Sequence, residues 1–407
     1  MPVAWPTSEQ TRGRPLEGVK VLDVSRILAG PYCTMLLADL GADVIKVEPP
    51  RGDETRRWGP PFVHGDATYY FAANRNKRGI ELDLSDPSDR AAFDGLVRQA
   101  DVLLHNYTSS VAAKLQLDAS SVHRLNDKIL YANISGFGSW EPDRPGYDLM
   151  IQALGGIMAV TGPAGGTPSK VGVAIVDIAA GLFTALGIVA GLRTPDRSGI
   201  RLEVSLYDTV LALLTNQAMS ALAADVEPGR LGNDHPNVCP YGAYQAADRV
   251  IVLAVATDGH FARLCSVLGI ADAATDTRFL RNSERVRNRD ALKAVLEAAL
   301  ARRPAAQWSA LLDDAGVPNA AVRSVTEALR SPEAHSVTTI DHAVYGAVPQ
   351  IRSPLRFDGE YLEPYLAPPR LDEHRADIMG KTRAATSGDL LSSTDLDPGD
   401  DDSDGRG

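Results

Sequence analysis

The chain has 407 residues, 44% of them hydrophobic, enough for two or three domains with a real core. Lys and Arg number 41 against 52 Asp and Glu, a net charge of −11, and much of the excess lies in the Asp-rich end from Asp389 to Arg406; a nucleic-acid surface is excluded. The cysteines Cys33, Cys239 and Cys265 form no CxxC pair and no disulfide framework, which points to a reducing cytoplasm.

The N-terminus has no basic stretch followed by an apolar one, so no signal peptide is expected, and residues 1–16 read as an irregular arm. Gly18–Asp23 alternates as a strand, Ala29–Leu40 is amphipathic with Pro31 in its first turn, Gly41 stops it, and Asp43–Glu48 is the next strand. Arg51–Phe62 is a polar loop. Arg78–Leu84 is a strand, Pro87 opens a helix to about residue 100, and strands at 101–105 and 129–134 flank a helix near 111–125. This alternation predicts α/β architecture: a large, Rossmann-like domain over 17–200 with an open, mostly parallel sheet. Neither GxGxxG nor GxxxxGK[ST] occurs, so neither a redox dinucleotide nor a nucleoside triphosphate is indicated.

The run from Val171 to Ala190 is small and apolar, with a single charge, Asp177. Two compatible readings explain an acid there. It caps a buried helix, or it is a carboxylate nucleophile kept from bulk water. A membrane span is disfavoured by the glycines and alanines and by the acid, which costs roughly 3 kcal/mol in a bilayer. Residues 201–225 read as a linker, with a short strand at Arg201–Ser205 and one long helix over Tyr207–Ala224. A smaller α+β domain follows over 226–330, with a hairpin at 241–256 and helices near 259–268, 289–300 and 305–315. Pro-punctuated residues 331–385 suggest an extended return to the large domain, and 386–407 a disordered acidic tail.

No two histidines stand at metal-ligand spacing and no GxSxG elbow occurs, so no metal is expected. Ser135-Gly-Phe-Gly138 reads as a structural turn. The promising acids are Asp143, Asp148 and Asp177, the first two in the turn Pro142-Asp-Arg-Pro-Gly-Tyr-Asp148. Lys77, Arg78 and Lys114 are candidates for phosphate contacts, although each taken singly reads as a surface charge.

Several strings in order carry a specific resemblance: Leu16-Glu-Gly-Val-Lys-Val-Leu-Asp23, Ala29-Gly-Pro31, Gly41-Ala-Asp-Val-Ile-Lys-Val-Glu48, Asn76-Lys-Arg-Gly-Ile-Glu-Leu-Asp83, Ser135-Gly-Phe-Gly138, Asp143-Arg-Pro-Gly-Tyr-Asp148 and Ala367-Pro-Pro-Arg-Leu371. Over about 16–379 the chain resembles the family III CoA-transferases. The resemblance implies an interlocked homodimer, no permanently bound cofactor, and coenzyme A or acyl-CoA as substrate alongside carboxylic acids, with no nucleic acid or membrane partner. It makes Asp177 the nucleophile, passing through a mixed anhydride and an aspartyl-CoA thioester. It places Leu28 and Ala29 near the pantetheine, with Leu28 where formyl-CoA transferase has glutamine. Lys77, Arg78 and the segment from Leu82 to Ser85 fall near the adenine nucleotide. Asn106, Tyr107 and Thr108 match a CoA-binding turn in which Thr108-Ser-Ser110 replaces Arg-Pro-Gly, and Lys114 stands where it can compensate. Arg144, Gly146, Tyr147 and Asp148 lie against the thioester, and Gly232, Asn233 and His235 match a mobile lid. The lid sequence is most like the branch using succinyl-CoA and dicarboxylate acceptors. The alternative within the fold is a racemase of the α-methylacyl-CoA type. Those relatives carry a histidine base where this chain has Tyr147, and a phenol of pKa about 10 is a poor base at neutral pH.

Overall fold

The computed structural model describes residues 13–363 and 366–380. The acidic tail expected at 386–407, and all but the last residues of the N-terminal arm, lie outside the described residues.

Six parallel strands form the main sheet: β1 (Lys20–Asp23), β2 (Asp43–Glu48), β3 (Lys77–Glu81), β4 (Val102–His105), β5 (Leu130–Ser135) and β6 (Arg201–Ser205). Their spatial order is β3-β2-β1-β4-β5-β6, a doubly wound arrangement. Central strands are apolar on both faces because helices cover both. One face packs on α1 (Ala29–Asp39), through Val21, Cys33, Leu37 and Val102. The other packs on α2 (Pro87–Val97), α3 (Ser109–Lys114) and α4 (Ala119–Leu125), through Leu22, Ile45, Phe93 and Val122. A single helix was expected near 111–125; the chain instead breaks at Gln116, whose φ is 50°, and restarts with Asp118 as N-cap.

After β5 come α5 (Asp148–Leu154) and α6 (Ile175–Leu192). The apolar run thus forms an 18-residue helix that is long and apolar enough to cross a membrane, but here it packs on α1 and on β5 and β6. Its small residues permit this. A Cβ on Gly181 would lie 2.7 Å from the Ala29 carbonyl oxygen, so only glycine lets the two helices approach so closely. The opposite stripe, Leu182, Phe183 and Leu186, is exposed.

Residues 201–205 are not part of a linker. They pair in parallel with β5 and complete the large sheet, so that sheet extends past the boundary expected at residue 200. The single helix expected over 207–224 is two, α7 (Leu206–Leu213) and α8 (Thr215–Ala224), broken where Thr215 takes a φ of 43°. A three-stranded antiparallel sheet, β7 (Tyr241–Gln245), β8 (Val250–Ala254) and β9 (Asn319–Ala321), has its own core with α9 (Asp258–Leu268), α10 (Arg289–Leu300) and α11 (Ala305–Asp314), built on Phe261, Leu264, Leu296 and Trp308. Beyond a hairpin of β10 (Val337–His342) and β11 (Gly346–Ile351), residues 366–380 run along the free edge of β3: Asn76 N–H donates to the Leu366 carbonyl (2.9 Å) and His374 N–H to that of Gly79 (3.0 Å).

Candidate active site

The strand order reverses between β1 and β4. Loops leaving those strands diverge, and a crevice must open outside their C-terminal ends. A cleft of about 210 Å³ lies there, lined by Arg26–Ala29 after β1, Asn106–Thr108 after β4, Ser135 and Gly136 after β5, the loop through Arg144–Tyr147, and Asp177.

The turn after β1 is held from several sides. Ile27, a β-branched residue, has a φ of 69°, a strained conformation that needs outside support. The Asp53 carboxylate accepts its N–H (3.2 Å), Asn106 Oδ1 accepts the Arg26 N–H (2.9 Å), and Asn106 Nδ2 donates to the Arg26 carbonyl (2.7 Å). Lys46 Nζ, wholly buried, bridges the Ser25 carbonyl (3.0 Å) and Asp53 (3.2 Å). Burial alone would raise the Asp23 pKa, but Lys77 and Lys46 override it and hold that carboxyl at about 2. Asn106 was expected to meet CoA; its side-chain amide is taken up in positioning this turn.

Asp177 is the third residue of α6, not its cap; the N-cap is Ala174, which offers no side-chain acceptor. The capping group comes from another helix. Asp148 Oδ1 accepts the N–H groups of Val176 (2.8 Å) and Asp177 (3.4 Å). Asp177 therefore keeps its carboxylate free: among the described residues no donor bonds it and no cation pairs with it. Burial, then the charge of Asp148, pushes its pKa up to about 7. A carboxylate that is poorly solvated and without a partner is a strong nucleophile for its class.

Leu28, Ala29, Asn106, Tyr107, Thr108, Arg144, Gly146 and Tyr147 all line the same cleft as Asp177. Asp148 acts on it from behind, as the cap. Lys77 requires correction. It is fully buried, with Nζ on Asp23 (3.0 Å), Asn74 (2.9 Å) and the Pro31 carbonyl (2.8 Å), so it braces the start of α1 and is closed to a nucleotide. Arg78 is engaged with Asp43 at 2.7 Å, and the Leu82 side chain is core. Ser85 and Lys114 are exposed, outside the cleft lining. Gly232, Asn233 and His235 do not line it either: Gly232 N–H donates to the Gly162 carbonyl (3.0 Å) and His235 N–H to that of Tyr241 (2.8 Å).

Two residues escaped the reading of the sequence. Arg26 lines the cleft, pairs with Glu54 at 2.6 Å and lies over the Tyr107 ring. Its neighbours Leu28 and Ala29 were the available signal. Tyr69 lies within electrostatic reach of the acids: burial, then Asp177 and Asp148, raise its pKa. It sits edge-on to Trp58, and no local pattern marks it. Among the described residues no group of three or more His, Cys, Asp or Glu is placed to hold a metal ion.

An unpaired acid thus stands in the cleft at the switch point of a doubly wound sheet, where such folds bind their ligands. The model of CoA-transferase family III matches residues 16–375, and the chain belongs to that family: it is a CoA-transferase. It is 38% identical to a succinate–glutarate CoA-transferase of Agrobacterium fabrum over 92% of this chain and 97% of that one. It is also 38% identical to an acetyl-CoA:oxalate CoA-transferase of Acetobacter aceti, over 89% and 94%. A crystal structure of a CaiB/BaiF family protein from Brucella suis superposes with a TM-score of 0.81 at 40% identity, covering 90% of this chain and 99% of that one.

Proposed function

We propose that the protein moves CoA between dicarboxylic acids, with succinyl-CoA or a similar thioester as donor and Asp177 as the covalent carrier. The observation that carries this reading is the free Asp177 carboxylate at the cleft. Its oxygen attacks the donor thioester carbonyl, CoA thiolate leaves, and a mixed anhydride remains. The thiolate attacks the aspartyl carbonyl, the donor acid departs, and an aspartyl-CoA thioester is left. The acceptor carboxylate repeats the sequence in reverse and regenerates Asp177. The relatives named above act, by name, on succinate, glutarate and oxalate, which supports dicarboxylates. A racemase is disfavoured because the base position is Tyr147. Incubation with succinyl-CoA and a panel of dicarboxylates, read by mass spectrometry, tests the assignment; no new thioester from any acid refutes it.

The thioester end of CoA enters between Leu28 and Tyr147. Its nucleotide runs along the same sheet edge toward Ser85, since β3 lies two strands, about 10 Å, from β1. Arg26 and Arg144, the cations lining the cleft, replace Lys77 as phosphate partners, with Lys114 three residues beyond Val111 of the lining. A charge-assisted contact is worth about 1.5–3 kcal/mol. Lys114→Ala should weaken CoA binding by calorimetry at least tenfold while leaving the melting temperature unchanged. Unchanged affinity would make Lys114 an ordinary surface charge.

Attack requires ionised Asp177. The rate at low substrate should therefore rise with pH through about 7 and level off above it. A rate independent of pH from 5 to 9, on the order of four decades in proton concentration, would contradict this assignment.

The exposed stripe of α6, with Leu222 of α8 at 82% exposure, supports a homodimer that buries this face. Sedimentation should show a dimer that persists on dilution. The three cysteines are buried and unpaired, in keeping with a cytoplasmic setting, and the lid role of 232–235 belongs to the same proposal.

A further inference from the structure

We propose that Gln152 is a positioning residue for CoA transfer: its buried amide clamps Asp148 against the first turn of α6 and so holds Asp177 beside a fixed negative charge. The inference rests on Asp177 being the nucleophile.

Gln152 is 0% exposed. Its Oε1 accepts the Val171 N–H (2.9 Å) and its Nε2 donates to Asp148 Oδ2 (2.5 Å). The direction is forced. A backbone N–H only donates, so the amide oxygen faces Val171 and the NH2 group faces Asp148. The other Asp148 oxygen holds the N–H groups of Val176 and Asp177. One amide and one carboxylate thus fasten residues 171–177 at both ends. All three groups on Asp148 are donors, an arrangement that the carboxylate form satisfies.

The surroundings of Asp177 leave Asp148 as the dominant charge. Tyr69 is a further titratable group within reach. From the elements packed on α6, α1 brings Tyr32 and Cys33, which lie against Gly181, and Asp39, which is paired with Arg75. Tyr207 and Asp208 come from α7, with Asp208 bonded to Ser205. Tyr131, Arg201 and Glu203 of β5 and β6 line a separate pocket with His105, on the far face of the sheet. If the clamp is removed, Asp148 is free to swing away and the α6 N–H groups become available to Asp177. Both changes favour its ionised form, and both let the nucleophile point away from the thioester.

The test titrates the Asp177 carboxyl in the intact protein by infrared difference spectroscopy with labelled aspartate, Asp177→Asn supplying the subtraction. Acylation by donor thioester is followed in parallel by hydroxylamine trapping. Gln152→Met keeps the volume and removes both hydrogen bonds. It should lower the midpoint by about one pH unit and slow acylation at least tenfold, with CoA affinity within about twofold of the parent. Gln152→Glu can bridge Val171 and Asp148 only while it carries a proton. Its acylation should run at the parent rate below about pH 6 and at least tenfold slower above about pH 8, where the ionised carboxylate keeps the Val171 N–H but repels Asp148, a split that a purely structural role would not produce. An unchanged midpoint in Gln152→Met, or a Gln152→Glu profile that superimposes on the parent, overturns the clamp. If the parent itself is never acylated, the nucleophile assignment fails, while the titration midpoints still decide the clamp.

Discussion

Asp177→Asn should abolish CoA transfer, by at least about a thousandfold in kcat, while CoA still binds. The amide keeps the size and shape of the side chain but is a poor nucleophile. Asp177 also caps nothing, since Asp148 holds the α6 N–H groups, so the loss cannot come from a weakened helix. A second readout has a fixed sign. The folded-state pKa of Asp177 is raised from 3.8 to about 7 by burial and by Asp148, so folding favours the protonated acid. That contribution is fully present below about pH 4 and is lost as pH rises through about 7. Asp177→Asn, neutral throughout, should therefore melt higher than the parent above about pH 7, and the gap should close toward about pH 4. Activity retained in this variant, with no deamidation back to aspartate by mass spectrometry, would falsify covalent catalysis at this residue.

Lys77→Met should lower stability by about 3–5 kcal/mol, the usual cost of stripping one partner from a buried ion pair. Lys77 and Asp23 are both 0% exposed, and the ammonium also holds the Pro31 carbonyl at the start of α1. Urea unfolding would measure the loss. Where the variant is folded, its CoA affinity should stay within a few-fold of the parent. Normal stability with lost CoA binding would return Lys77 to the nucleotide site. Arg78, whose pair with Asp43 is part-buried and keeps some contact with water, should give a smaller stability change.

Local order along the chain was legible. The β1-α1-β2 unit follows from alternation, a proline in the first turn and a glycine stop, signals that act within a few residues of each other. Asp177 stood out because a lone acid in an apolar run needs a reason wherever the run packs. The ordered family strings pointed to the right family, and the matching family model spans the same stretch.

The tertiary structure decided what depends on neighbours distant in sequence. The cap on α6 comes from Asp148, 29 residues before the N–H it accepts from Asp177, and a cap borrowed across helices leaves no S/T-x-x-E signature to read. Lys77 looked like a phosphate ligand because a basic residue on a strand carries no mark of which charge it meets; parallel pairing of β3 beside β2 and β1 brings it to Asp23. Arg201–Ser205 joined the large sheet because β5 offered an open edge, a property of the sheet and not of the five residues. Arg26 reached the cleft because Asp53 and Asn106, remote in the chain, hold Ile27 in a conformation it would not adopt alone. Propensity and periodicity are set by contacts one or two turns away. Charge pairing, capping between helices and sheet membership are set by which segments become adjacent, and only folding brings those segments together.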